Sequence, residues 1–156
     1  MTNFVYLSRE RLKELEDEIK EMKTNGRKRM AERIAEARSY GDLSENAEYD
    51  AAKEEQGLFE LKISKLEDLL RRARIIDTSS MPKDQAHILS TIKVKNLNNS
   101  KIFNYTLVSP EEADLEKGKI ALSSPVGQAL MGKKVGDVVT AKVPAGVIKF
   151  EILGIE

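Results

Sequence analysis

The chain reads as an α+β protein: an N-terminal antiparallel α-helical coiled-coil hairpin followed by a small antiparallel β-sheet with one helix. Three observations predict this. Apolar residues recur at intervals of three and four from Leu12 to Ile76, broken once by residues 41–49. From about Ile88 the period falls to two, and short β-branched runs alternate with turn residues. Arginine is confined to the stretch from Arg9 to Arg74, and beyond it positive charge is carried only by lysine.

The first helix is signalled at Ser8, placed to cap the free amides of the first turn, with Leu7 and Leu12 spaced as a hydrophobic staple around it. Leu12, Leu15, Ile19 and Met22 form a coiled-coil seam. Past Gly26 the stripe resumes at Met30, Ile34 and Ala37 with a shifted phase, which predicts a continuous helix with a soft spot or stutter at Thr24-Asn25-Gly26. After the break, Leu58, Leu61, Ile63, Leu66, Leu70, Ala73 and Ile76 mark the returning arm. Arms of roughly thirty residues would each run about 45 to 50 Å. Near the break only Ala37, Ala47, Ala51 and Ala52 are available for packing, so the end of the hairpin should be slender.

Proline at Pro82 closes the polar run Asp77-Thr78-Ser79-Ser80-Met81, which reads as a linker. The expected organisation is a hairpin at 1–77 with an acidic tip at 41–49, a linker at 78–87 and a second domain at 88–156. In that domain Ile92, Val94 and Leu97 alternate with polar residues, Asn98-Asn99-Ser100 turns the chain, and residues 102–108 return. Residues 119–122 read as a third strand. Ser124 caps a short helix with Pro125 in its first turn, running through Leu130 and closed by Gly132. Residues 138–143 and 147–152, joined at Pro144-Ala145-Gly146, form a final hairpin.

Composition limits the chemistry. The 156 residues are 40% hydrophobic and 33% charged, carry no formal net charge, and contain no cysteine and one histidine, His87. Disulfides and thiolate nucleophiles are excluded, as is nearly all zinc chemistry. Attraction to nucleic acid or to an acidic membrane would have to be local rather than global. No segment approaches the length of a membrane span and the start lacks a leader pattern, so a cytoplasmic protein is expected.

The break itself carries the densest chemistry. Asp42, Glu45, Glu48 and Asp50 place four acids within nine residues at an exposed bend. One account is structural: Asp42 and Glu45 have the spacing of a capping box, and first-turn acids complement the helix dipole. The other is a magnesium half-site, because magnesium takes hard oxygen ligands and one or two carboxylates hold it only weakly. A partner supplying further oxygens would complete such a site for metal-assisted phosphodiester hydrolysis. No nucleophile paired with a base and no glycine-rich phosphate loop is present, so catalysis by the chain alone is not expected. Arg27-Lys28-Arg29, Arg33 and Arg38, with Lys53 across the bend, read either as a solvated face balanced by Glu32 and Glu36 or as a track guiding an RNA or DNA end. His87 reads as structural or exposed.

Several of these runs together are similar to one family. Ala35-Glu36-Ala37-Arg38, Gly41-Asp42-Leu43-Ser44-Glu45-Asn46-Ala47-Glu48-Tyr49, Ala51-Ala52-Lys53-Glu54 and Gln56-Gly57 closely resemble the bacterial Gre transcript cleavage factors, GreA type. Ser124-Pro125-Val126-Gly127-Gln128-Ala129-Leu130-Met131-Gly132 and the closing hairpin with Pro144 and Gly146 resemble that family's FKBP-like C-terminal domain. The resemblance spans the whole chain. It implies a transcription elongation factor that binds RNA polymerase, enters its secondary channel with the coiled-coil tip and stimulates Mg2+-dependent cleavage of backtracked nascent RNA near its 3′ end. It further implies that Asp42 and Glu45 are the metal-holding acids, sharing Mg2+ with the polymerase. Leu43, Ser44, Asn46, Glu48 and Tyr49 would shape the tip or touch polymerase, and Arg38 and Lys53 would steer RNA. The C-terminal domain would dock at the channel rim. Some members carry lysine at the position of Ser44. No small-molecule substrate and no membrane partner are implied. The alternatives are a non-catalytic Gre-like inhibitor occupying the same channel, or a prolyl isomerase, for which the second domain offers only Phe103, Tyr105 and Phe150 as pocket aromatics.

Overall fold

The structure is a computed structural model that describes residues 3–41 and 46–156. Asp42, Leu43, Ser44 and Glu45, with the first two residues, lie outside the described residues. By its internal contacts the chain divides into two units, residues 10–73 and a second that gathers residues 3–9 with residues 74–156.

The first unit is the expected hairpin. Its first arm comprises α1 (Arg9–Glu21), a π-helical turn at Met22–Gly26 and α2 (Arg27–Arg38); the returning arm is α3 (Ala47–Arg72). The soft spot anticipated at Thr24-Asn25-Gly26 is therefore a π turn, with the helix continuous through it. The residues buried along the arm are Leu15, Ile19, Met22, Gly26, Ile34 and Ala37, and the wider π turn takes up the extra residue that shifts their phase. Thr24 bends its hydroxyl back to the carbonyl of Lys20 at 2.8 Å, a contact that competes with regular helix geometry.

Gly26 is where the π turn meets the opposite arm. A Cβ at Gly26 would lie 2.5 Å from the tip of the Phe59 ring. Its φ of −63° is ordinary helix, so glycine is needed there for space and not for backbone freedom. On the returning arm Ala52, Ile63 and Leu69 are buried. Leu58 and Leu61, expected in the seam, are instead 62% and 50% exposed. With Phe59 set against Gly26, the residues flanking it fall on the outer face.

Ion pairs join the arms along their length. Lys23 reaches Glu67 at 2.6 Å, Arg27 grips Glu60 through two bonds of 2.9 and 3.0 Å, and Arg33 reaches Glu55 at 2.5 Å. The hydrogen bond from Arg27 to Glu60 holds the guanidinium pKa above its usual value. Exposed pairs contribute little stability each. Their spacing nevertheless matches only one register of the two arms.

In the second unit, β1 (Val5–Leu7) pairs with β2 (Ala73–Ile75). The sequence pattern extends the returning helix to Ile76, but α3 ends at Arg72 and the chain enters this strand, where the Ile76 amide donates to the Leu7 carbonyl at 2.9 Å. Neither short strand is legible from periodicity. Five further strands, β3 (Thr91–Asn96), β4 (Ile102–Val108), β5 (Lys119–Ala121), β6 (Val138–Val143) and β7 (Gly146–Ile155), form a sheet in the order β5-β4-β3-β7-β6. Three of its pairings are antiparallel, as expected; β5 joins β4 in parallel. Two 3-10 turns, Pro110–Glu112 and Leu115–Lys117, carry the chain back so that β5 enters in the same direction as β4.

One face of this sheet makes the core. Ile92, Val94, Leu107, Val139, Ala141, Phe150 and Ile152 lie against Leu130 of α4 (Pro125–Leu130). Burying each large aliphatic side chain contributes about 1.5 to 3 kcal/mol. The Ser-Pro-Val-Gly run sets the helix tightly on the sheet: Ser124 Oγ accepts from the Gly127 amide at 3.0 Å, and a Cβ at Gly127 would sit 2.1 Å from the Ala121 carbonyl oxygen.

Two glycine substitutions test this packing by thermal denaturation. Gly127→Ala meets backbone that cannot yield, and is expected to cost about 3 kcal/mol, the top of the range for overpacking, lowering Tm by roughly 10 °C. At an open helical site alanine gains about 1 kcal/mol over glycine. Gly26→Ala should instead destabilise, and Phe59→Leu in the same chain should restore the gain. A stabilised Gly26→Ala single variant would disprove the contact.

Candidate functional site

The end of the hairpin is built from the last turn of α2, Gly41 and the first turn of α3. Gly41 has a φ of +123°, a value that favours glycine, and the chain leaves the arm through it. Asn46 re-enters the helix on the other side. Its extended backbone makes it the N-cap of α3; its Oδ1 accepts from the Tyr49 amide at 3.0 Å, and its Nδ2 donates to the Ala37 carbonyl at 2.6 Å. One amide side chain thus begins the second arm and ties it to the end of the first. Glu48 and Asp50 then occupy the first turn of α3, where the helix dipole favours acids.

The cap of α3 is Asn46, four residues after Asp42 in the sequence; the capping-box account of Asp42 and Glu45 falls outside the described residues. Asp42, Leu43, Ser44 and Glu45 lie outside the described residues.

Around the cap, Tyr49 is half-buried against Ile34, Ala37 and Ala52. The Arg38 guanidinium lies over its ring, 5.8 Å from the centroid. Lys53 is exposed, with its Nζ 3.2 Å from the side-chain carbonyl of Gln56. Arg38 and Lys53 therefore flank the two sides of the bend with their charges in solvent. Of the other basic residues on the arm, Arg27 and Arg33 pair across to α3, and Arg29 lies 3.7 Å from Glu21. Glu32 and Glu36, expected to balance them, are not the residues used.

Tyr40, absent from the sequence-derived site, completes the end. It is 59% exposed, and its hydroxyl donates to Glu36 at 3.0 Å, an i,i+4 contact that sequence spacing alone could have suggested. That bond raises the phenol pKa, with the Glu48 charge adding to it. An open groove of about 270 Å3 runs between Tyr40, Glu36 and Glu48 over a floor of Ala37, Ala51 and Ala52. Small residues line the end of the hairpin, as the alanine pattern predicts.

Among the described residues no group of three or more His, Asp or Glu is arranged to hold a metal ion. None of their helices is long and apolar enough to cross a membrane. In the second unit, Phe103 and Tyr105 stack at 5.6 Å and Tyr105 meets Phe150 edge-on at 6.2 Å. Phe150 is buried in the sheet core, and Phe103 and Tyr105 are half-buried against it. His87 is half-buried, and its backbone amide donates to Ser90 Oγ at 2.9 Å.

A factor built as a helical hairpin with an acid-bearing end, followed by a small sheet domain, is the class these features define. Residues 5–75 match the family described as Transcription elongation factor, N-terminal, and residues 81–156 match Transcription elongation factor, GreA/GreB, C-term. The transcription elongation factor GreA of Chloroherpeton thalassium is 47% identical over 156 residues, covering 100% of this chain and 99% of the relative. That of Chlorobaculum parvum is 51% identical, covering 99% of this chain and 98% of the relative. Among solved structures, GreA factor homolog 1 of Thermus thermophilus aligns with a TM-score of 0.46 at 27% identity, over 99% of both chains. The chain belongs to the GreA/GreB family of transcription elongation factors.

The double bond of Asn46 predicts a measurable local stability. Asn46→Ala removes both contacts and is expected to cost about 1 to 2 kcal/mol, the upper range for loss of an N-cap. Hydrogen exchange at the Tyr49 amide should accelerate more than at amides in the middle of α3. Equal protection at Tyr49 in the variant would remove Asn46 from this role.

Proposed function

We propose that this chain acts on bacterial RNA polymerase by inserting the end of its hairpin into the secondary channel, where it stimulates cleavage of backtracked nascent RNA near the 3′ end. The observation that carries the reading is the Asn46 closure. Asn46 caps α3 and ties it to the Ala37 carbonyl at the end of the hairpin, and in the sequence Asp42 and Glu45 fall between Gly41 and this cap.

Their donor chemistry fits Mg2+. Two carboxylates are hard oxygen ligands, and two are too few for a closed site, which suits a metal shared with the polymerase. When bound, Mg2+ supplies Lewis acidity and an activated water for phosphodiester hydrolysis. Asp42 and Glu45 would contribute its ligands from this chain. Asn46 fixes where α3 begins and so the root of the segment bearing them. Tyr49, wedged against Ile34, Ala37 and Ala52, holds the two arms at close approach. Arg38 and Lys53, exposed on either side of the bend, suit attraction of RNA phosphates without sequence readout. The second unit would dock at the channel rim, and the site of action would be cytoplasmic. In this reading the chain is not itself the enzyme; the polymerase is.

Purified chain, Mg2+ and a backtracked polymerase complex should yield short 3′-terminal RNA products. Loss of even an outer partner of a metal site costs about 10- to 100-fold, so Asp42→Asn or Glu45→Gln should reduce cleavage by at least that factor with polymerase binding unchanged. Binding that blocks synthesis with no RNA cleavage would instead assign the chain to the inhibitory class. Cleavage without polymerase would overturn the shared site.

A further inference from the structure

The side of α3 turned away from the first arm carries a second stripe with its own period. Toward the first arm, Ala52, Phe59, Ile63 and Leu66 are buried or half-buried. On the opposite side Glu54, Leu58, Leu61 and Lys65 recur at intervals of four, three and four, and all are exposed, Leu58 by 62% and Leu61 by 50%. Those intervals are a heptad pattern, the spacing with which one helix lies along another.

The stripe ends in charges of opposite sign. Among the described residues neither Glu54 nor Lys65 has an ion-pair partner, although Asp68 on the same helix is held by Arg71 and Arg72. The midpoint of the stripe falls between Phe59 and Glu60, which is also the midpoint of α3. A two-fold axis through that point sets a second α3 antiparallel to the first along its whole length. It lays Leu58 against Leu61 of the second copy, and Glu54 against Lys65 of the second copy. Each contact then occurs twice, as an isologous interface requires. A parallel pair would set Glu54 against Glu54 and Lys65 against Lys65, and like charges so placed repel. Antiparallel helices also bring each N-terminus beside a C-terminus, where their dipoles attract.

Gly57 adds an independent observation. It lies inside α3 without a positive φ, and nothing stands within 4 Å of the place a Cβ would take, so packing within the chain does not require a glycine there. Glycine in a helix interior weakens it relative to alanine. Across the two-fold axis its counterpart is Lys62, which is exposed and has no ion-pair partner among the described residues. The long aliphatic stem of a lysine lies readily over bare backbone of this kind.

We propose that the chain pairs with a second copy of itself through the outer face of α3, as an antiparallel helix pair centred on Leu58 and Leu61. Self-complementarity selects this occupant: the stripe runs acid, Leu, Leu, base in one direction and base, Leu, Leu, acid in the other, so it matches its own reverse. Two leucines per copy fall well short of the roughly 1,200 Å2 at the low end of standard interfaces, so the pairing is weak and set by concentration. A paired shaft is four helices thick, which withholds the chain from any opening that admits one hairpin. The inference stands independently of the activity proposed above.

The test is sedimentation equilibrium of the full chain up to about 1 mM, the weak end of the affinity scale, with Tm measured for each variant. The mass should rise from one chain toward two with concentration, and Leu58→Ser with Leu61→Ser should abolish the rise at unchanged Tm. Glu54→Lys and Lys65→Glu each convert two attractive contacts into two repulsive ones and should weaken self-pairing about tenfold. An equimolar mixture of these two single variants should pair again, because each then meets opposite charge at both contacts. A single-chain mass at every concentration, or a mixture that pairs no better than its components, would overturn the assignment. So would a rise left intact by the leucine substitutions, which would place the contact elsewhere on the chain. A chain that stays single, yet binds purified RNA polymerase less tightly once both leucines are replaced, would reassign the face to that partner.

Discussion

Two long helices lying antiparallel must keep their apolar positions facing each other over many turns, and a regular helix drifts out of phase as it runs. In this chain the π turn at Met22–Gly26 resolves that conflict. It takes in one extra residue, restores Ile34 and Ala37 to the seam, and does so where Gly26 leaves room for Phe59. Everything beyond it depends on that correction. The pairs Arg27–Glu60 and Arg33–Glu55 need the register it sets, and so does the approach of Asn46 to the Ala37 carbonyl.

The two units handle charge in different ways. In the hairpin, Lys23, Arg27 and Arg33 of the first arm are answered by acids of the second, while Arg38 and Lys53 are exposed near the bend. In the sheet unit, Lys93, Lys95, Lys142 and Lys149 have no ion-pair partner among the described residues. A formal net charge of zero therefore conceals two distributions of charge, one paired across the arms and one without such pairs among the described residues.

Much of this was legible in the sequence because it is periodic. The hairpin, its soft spot, the closing β6–β7 pair and the Ser124-Pro125 helix all follow from spacing and cap chemistry. The β1–β2 pair was not legible, since three-residue strands carry no period and the partners lie far apart in the chain. Leu58 and Leu61 misled for a related reason: a stripe drawn from residue type alone cannot register that Phe59, beside them, is the residue matched to a glycine on the other arm. At the bend, the cap of α3 at Asn46 is not singled out by the run of acids around it. The Asn46 side chain has both a donor and an acceptor, and only such a group can cap one helix while bonding the end of another.

That division of labour at the bend bears on how such a protein can change over generations. Asn46 bonds both the Tyr49 amide and the Ala37 carbonyl, so the start of α3 and its tie to the first arm rest on a single codon. Substitutions at Glu48 or Asp50, in the first turn of α3, leave both of these bonds in place. A lineage is thus free to vary the charge displayed on that turn while Asn46 is held, with the shaft and the sheet unit inherited intact.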